Sequence, residues 1–171
     1  MKAALEGLLA QQFPGLIQGQ DWFVIDFNGK SDLEKNFLER MKRWNYGAPM
    51  FVVLRDNDGS DCKQLKQRLE KLAQPMSKPF KIRVVCQELE SWFIGDSHAV
   101  TAAFPGCLFS NTTAKYRNPD KLTNASQELA ELTGDHSKVG RASKIAPHLD
   151  PARNQSRSFQ VLYETLKNHL K

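Results

Sequence analysis

Phe51-Val52-Val53-Leu54-Arg55-Asp56-Asn57-Asp58-Gly59-Ser60-Asp61 decides how the rest of the chain is read. Its apolar start has the length and β-branched content of a buried strand, and the acids stand where such a strand would leave a sheet. Side chains at i and i+2 of an extended chain face the same way, so Asp56 and Asp58 are expected to converge while Asn57 points elsewhere. Two carboxylates ~4 Å apart, at an effective dielectric near 20, repel by about 4 kcal/mol, and a divalent cation or a shared proton relieves this. The alternative is that a turn attracts aspartate for local hydrogen bonding, with Arg55 or Arg83 neutralising the remaining charge.

A second strand-like run, Lys81-Ile82-Arg83-Val84-Val85-Cys86, ends in Gln87-Glu88-Leu89-Glu90-Ser91-Trp92, with Asp96 soon after. Loops at the carboxyl ends of parallel strands line one edge of an open sheet, so two strands that finish in carboxylates can build one site. Oxygen ligands without a nearby histidine or cysteine suit Mg2+ or Mn2+ better than zinc.

Outward from these strands, Lys2 to Phe13 reads as a helix with Leu5, Leu8, Leu9 and Phe13 on one face, stopped by Pro14-Gly15. Trp22 to Phe27 reads as a strand. A helix is expected over Asp32 to Trp44, with Ser31 and Glu34 as a capping box. Ser60 to Ala73 reads as a basic amphipathic helix, and Leu89, Trp92 and Phe93 share a helical face after the Ile82 strand. This alternation of strand and helix favours a parallel sheet with helices on its faces. From 109 to 123 the chain is polar and rich in turn residues, and helices follow over Gln127 to Leu132, Val139 to Ala146 and Ser156 to Leu170. The expected fold is one α/β domain over residues 1–171, a three-layer Rossmann-like, mostly parallel sheet with a helical, basic part from 111 onward.

Composition narrows the function classes. No stretch approaches the ~20 apolar residues of a membrane span, and no signal-type hydrophobic core opens the chain, so a cytoplasmic protein is expected. Cys62, Cys86 and Cys107 are odd in number and lack Cys-x-x-Cys spacing, which argues for reduced thiols with Cys86 in the core. The net charge of +5 is uneven: residues 111 to 171 hold 10 basic and 6 acidic side chains, against 14 and 13 before them. An acidic cluster in a basic chain fits a phosphodiester partner, attracted to cations and to a bound metal alike. Arg117, Lys138, Arg141 and Lys144 are the candidate phosphate contacts, with Lys115, Arg153 and Arg157 as further cations of the same region.

Gly29-Lys30-Ser31 lacks the upstream glycine of a phosphate-binding P-loop, since Val24 stands there, and a nucleoside triphosphatase is rejected. His98, His136, His148 and His169 are scattered without ligand spacing, no Gly-x-Ser-x-Gly occurs, and Trp92-Phe93 reads as core by its register with Leu89.

Five ordered segments carry a resemblance over nearly the whole chain: Phe51 to Cys62, Cys86 to Asp96, Lys115 to Asp120, Lys138 to Leu149, and Ser156 to Phe159. Together they resemble the bacterial domain-of-unknown-function family 4276, which is regarded as Toprim-like and related to nucleases of the overcoming-lysogenization-defect type. The resemblance implies a Rossmann-like sheet and Mg2+- or Mn2+-dependent phosphodiester chemistry on DNA or RNA. Asp56 and Asp58 would take the Asp-x-Asp metal role, Glu90 would be a further ligand or base, and Glu88 would stand beside it as a catalytic acid or base. It also implies a strand and a glutamate ahead of Met1, a role that Glu6, inside the opening helix, does not fill. An ATPase partner from mobile-element defence clusters, a homo-oligomer, or a non-catalytic adaptor that binds nucleic acid are the accompanying expectations.

Overall fold

The computed structural model describes residues 1–170. It is a mixed α/β fold whose sheet has two parallel strands, β1 (Phe51–Asp56) and β2 (Phe80–Val85), paired in register from Phe51↔Phe80 to Asp56↔Val85. The connection between them is α3 (Cys62–Ala73), the crossover that parallel pairing requires. Asp61 caps α3 by accepting from the Gln64 N–H at 2.8 Å, so the third acid of the opening stretch is a helix cap.

The alternation of strand side chains divides the interior in two. Phe51 and Val53 of β1, with Phe80, Ile82 and Val84 of β2, point into a smaller core built with Phe37 and Met41 of α2 (Lys30–Lys42) and Leu65, Leu69 and Ala73 of α3. Val52, Leu54 and Val85 point the opposite way into the larger core. There they meet α1 (Lys2–Gln12) through Ala4 and Leu8, and α4 (Glu90–Ile94) through Trp92 and Phe93. The remaining helices, α5 (Ser97–Ala103), α6 (Ala125–Thr133), α7 (Lys138–Ile145) and α8 (Arg157–His169), close the same core. Trp92 and Phe93 are both buried, as their helical register with Leu89 predicts, and Trp92 Nε1 donates to Ser158 Oγ at 2.9 Å.

Two expectations from sequence need correction. Trp22 to Phe27 forms no strand: Trp22 makes one isolated bridge to Gln18, and no neighbouring strand among the described residues pairs with the run. Trp22 is buried and Phe27 packs on the smaller core, two positions that the two-residue period of a strand would place on opposite faces. Phe23, however, stays exposed and stacks edge-on against Trp44 and Tyr46. The capping box of Ser31 and Glu34 is also not made. Helix α2 starts at Lys30 behind Gly29, whose φ of +84° only glycine adopts without strain, and Asp32 reaches back to the Asn28 N–H at 2.8 Å. Glu34 is engaged instead by Arg55 at 2.9 Å and by a two-pronged contact from Arg68 at 2.8 and 2.9 Å.

Gly95, after α4, is held at close quarters. Its carbonyl accepts from Asn111 Nδ2 at 2.7 Å and from the Gln155 N–H at 2.9 Å, and a Cβ there would lie 2.5 Å from Asn154 Oδ1. No helix is long and apolar enough to cross a membrane among the described residues.

Candidate functional site

Strand β1 ends at Asp56, and the ladder continues one step further, the Asn57 N–H donating to the Val85 carbonyl at 3.0 Å. Asn57 is then the joint between the two strand ends. It is buried, its Oδ1 accepts from the Gln87 N–H at 2.5 Å, and its Nδ2 donates to the Ser60 carbonyl at 2.7 Å. Gln87 and Asp58 both have left-handed backbone, at φ of +63° and +49°, which costs non-glycine residues free energy and is sustained here by these bonds. The residue expected to point elsewhere therefore organises both acid-bearing loops. Its signal in the sequence was the Asn-x-Gly of a turn, which says nothing of a bond to a distant loop.

Because the chain turns at Asp58, the same-face argument for Asp56 and Asp58 does not extend past the strand end. Asp58 is exposed and meets Lys30 Nζ at 3.2 Å, at the start of α2. Its charge is still felt by Asp56. The Asp56 carboxyl is pushed up to about 7, first by burial and then by the negative charges of Glu90, Asp58 and Glu88, with the Met1 amino group acting the other way. Asp56 Oδ1 is buried and has no hydrogen-bond partner. Neither arginine suggested as a neutraliser does that work: Arg55 turns to Glu34 and to the Asp56 carbonyl, and Arg83 donates to Thr165 Oγ1 at 2.8 Å.

The second acidic motif lies at the start of α6. Glu88 Oε2 accepts from the Ser126 N–H at 2.9 Å, and Glu90 Oε1 accepts from Ser126 Oγ at 3.1 Å, so both glutamates face the positive end of that helix. Lys138 Nζ stands 3.9 Å from Glu88 and 4.0 Å from Glu90, and Arg141 Nη2 stands 3.8 Å from Glu90. Ser126 was invisible to sequence reasoning, which had no means of bringing residue 126 to residues 88 and 90.

The four candidate phosphate contacts separate by environment. Arg141 is buried and donates to the Asp135 carbonyl and to Ser126, while its Nε has no partner. Lys144 pairs with Asp135 at 3.0 Å and covers the Phe104 ring. Lys138 and Arg117 are exposed. An open cleft of about 610 Å3 runs beside the glutamates and is lined by Glu88, Ser126, His136, Lys138 and Arg141. Arg117 and Lys144 are not part of its lining.

Asp96 does not join the acids. It is fully buried, caps α5 through the Ala99 N–H, and receives the Asp150 N–H and the Arg153 guanidinium. Among the described residues no three side chains of His, Cys, Asp or Glu converge closely enough to form a ready-made metal cage. What the fold does bring together is Glu90, Asp58 and Glu88 around Asp56, near enough for each charge to raise its carboxyl.

The quoted motifs of the sequence also meet each other. Asp120, of Lys115 to Asp120, accepts from Ser156 Oγ at 2.6 Å, the Ser158 N–H at 2.8 Å and Ser158 Oγ at 3.1 Å, and Ser158 in turn receives Trp92. Three of the five segments are thus one hydrogen-bonded network around the base of α8. A comparison with protein-family models matches residues 1–167 to Domain of unknown function (DUF4276). The chain belongs to that family. For this DUF4276 member, comparisons with curated proteins and with solved structures each return no significant match.

Proposed function

We propose that this DUF4276 protein is a Toprim-like, cytoplasmic, Mg2+- or Mn2+-dependent nuclease or related phosphodiester-acting protein, with helices on both faces of its sheet forming a Rossmann-like three-layer unit. One observation carries the reading. Asp56 is a half-buried carboxyl with an oxygen that has no partner, set among three further carboxylates that push it up to about 7. Such a cluster destabilises the fold unless a cation or proton joins it, and clusters of that kind concentrate at functional sites.

The hard oxygen donors fit Mg2+ or Mn2+. Asp56 and Glu90 would hold the ion, with Asp58 joining them on release from Lys30, and the ion would supply Lewis-acid polarisation of a phosphoryl oxygen and a lowered pKa for bound water. Glu88, at the cleft wall, takes a proton from or returns it to the reacting group. Lys138, loosely held between the glutamates and largely exposed, is the cation that meets a phosphate in the cleft, with Arg141 behind it. Arg117 and Lys144 contribute flanking positive charge to DNA or RNA. The test is cleavage of single- and double-stranded DNA and RNA with Mn2+. Activity abolished by Asp56→Ala and by Glu90→Gln supports the reading, and absence of cleavage from every substrate contradicts it.

A second reading has its own observation. Lys138, Arg141 and Ser126 already balance Glu88 and Glu90 without an ion, as they would in a non-catalytic adaptor that binds nucleic acid or an ATPase partner, alone or as a homo-oligomer. An adaptor keeps its nucleic-acid affinity in EDTA and after Asp56→Ala.

A further inference from the structure

Two of the three cysteines sit together where the proposed chemistry does not use them. Cys62 is the first residue of α3 and Cys86 follows β2, and their Sγ atoms lie 3.0 Å apart. Both are half-buried, which corrects the expectation that Cys86 is a core residue, while Cys107 is buried elsewhere. Asn57 holds the pair from both sides: its Nδ2 donates to Cys62 Sγ at 3.2 Å and to the Ser60 carbonyl, and its Oδ1 takes the Gln87 N–H next to Cys86. The residues flanking each sulfur are therefore tied to one side chain. The two sulfurs need approach by only about 1 Å to reach bonding distance.

We propose that Cys62 and Cys86 form a reversible oxidation site, closed to a disulfide by a hydroperoxide as oxidant. In the first step the Cys62 sulfur attacks the peroxide, the O–O bond breaks, and Cys62 sulfenic acid and water form. In the second the Cys86 sulfur attacks Cys62, the S–O bond breaks, the S–S bond forms, and the displaced hydroxide leaves as water with the Cys86 proton. Two thiols and one hydroperoxide thus give one disulfide and two molecules of water, or water and alcohol for an alkyl hydroperoxide. Burial and the neighbouring Cys62 push the Cys86 thiol up, and in the order written here Cys86 enters second, against an electrophilic sulfur already beside it. The new bond would join the loop that carries Asp58 to the loop that carries Glu88, making the spacing of the candidate site depend on oxidation state.

The full chain treated with stoichiometric hydrogen peroxide in EDTA tests this without reference to metal or nuclease activity. Intact-mass and peptide mapping after alkylation are expected to show loss of two hydrogens, a cross-linked peptide joining Cys62 to Cys86, an alkylatable Cys107 after denaturation, and full reversal by dithiothreitol. In the folded protein the Cys62–Cys86 pairing should exceed the pairings with Cys107 by about tenfold or more, a preference that should be lost in guanidinium chloride, because the fold supplies proximity to the second step. In Cys86→Ser the same treatment should leave a sulfenic or sulfinic acid on Cys62 instead. The proposal is overturned by Cys62 going to sulfinic acid in the unaltered protein while Cys86 stays alkylatable, by a disulfide that involves Cys107, or by three thiols that survive the treatment.

Discussion

Asp56 is where the sign of a pKa shift becomes a stability statement. Its carboxyl is raised from 3.8 to about 7 in the folded chain, so between those values the native state holds a proton that the unfolded state has lost. Stability therefore falls as pH rises from about 4 to about 7, and above that the full penalty remains. For a half-buried group this amounts to as much as about 4 kcal/mol. Asp56→Asn removes the penalty, so urea denaturation should find the variant more stable than the parent by about 2–4 kcal/mol at pH 8, with little difference at pH 4. An equal effect at both pH values would show that Asp56 does not carry this charge strain. Asp61, five residues along and of the same residue type, is a helix cap, which shows how little residue type alone decides.

At the scale of elements, much was readable before the fold was known. The two strands, the crossover helix and the helices near 125–133, 138–145 and 157–169 follow from periodicity and from caps such as Ser156, which accepts from the Phe159 N–H. What periodicity could not supply is partnership. Trp22 to Phe27 has the aromatic and β-branched content of a strand, but pairing requires a neighbour at ~4.8 Å that composition does not encode. The same limit hid the contact of Ser126 with Glu88 and Glu90 and the role of Asn57, both made between residues distant in sequence. It did not hide the position of Asp56 at the end of one strand and of Glu88 and Glu90 shortly after the end of the other.

The turn after α4 is an element-scale joint with a steric test. Gly95→Ala places a methyl 2.5 Å from Asn154 Oδ1, while Asn154 Nδ2 is committed to the Trp92 carbonyl at 2.7 Å and its Oδ1 to the Ser156 N–H at 2.9 Å. Asn154 cannot retreat without releasing both bonds. The variant should lose about 1–3 kcal/mol in chemical denaturation. Gly106→Ala, where a Cβ meets open space, should be near neutral.

For the whole molecule, the candidate site is a product of assembly and not of any one segment. Asp56 comes from the end of β1, Asp58 from the turn after it, Glu88 and Glu90 from the entry to α4, Ser126 from α6, and Lys138 and Arg141 from α7, all held by the larger core and by the network of Asp120 with α8. A cation that binds there should stabilise the folded chain, and a proton on Asp56 should compete with it, so affinity should rise as pH passes upward through about 7. Calorimetric titration of the purified chain with Mn2+ at pH 8 tests this most directly. The account predicts saturable binding that weakens at least tenfold, or about 1.4 kcal/mol, in Asp56→Asn and in Glu90→Gln, and is unchanged in the helix-cap variant Asp61→Asn. Absence of binding heat, or equal affinity in the parent and in Asp56→Asn, would contradict it.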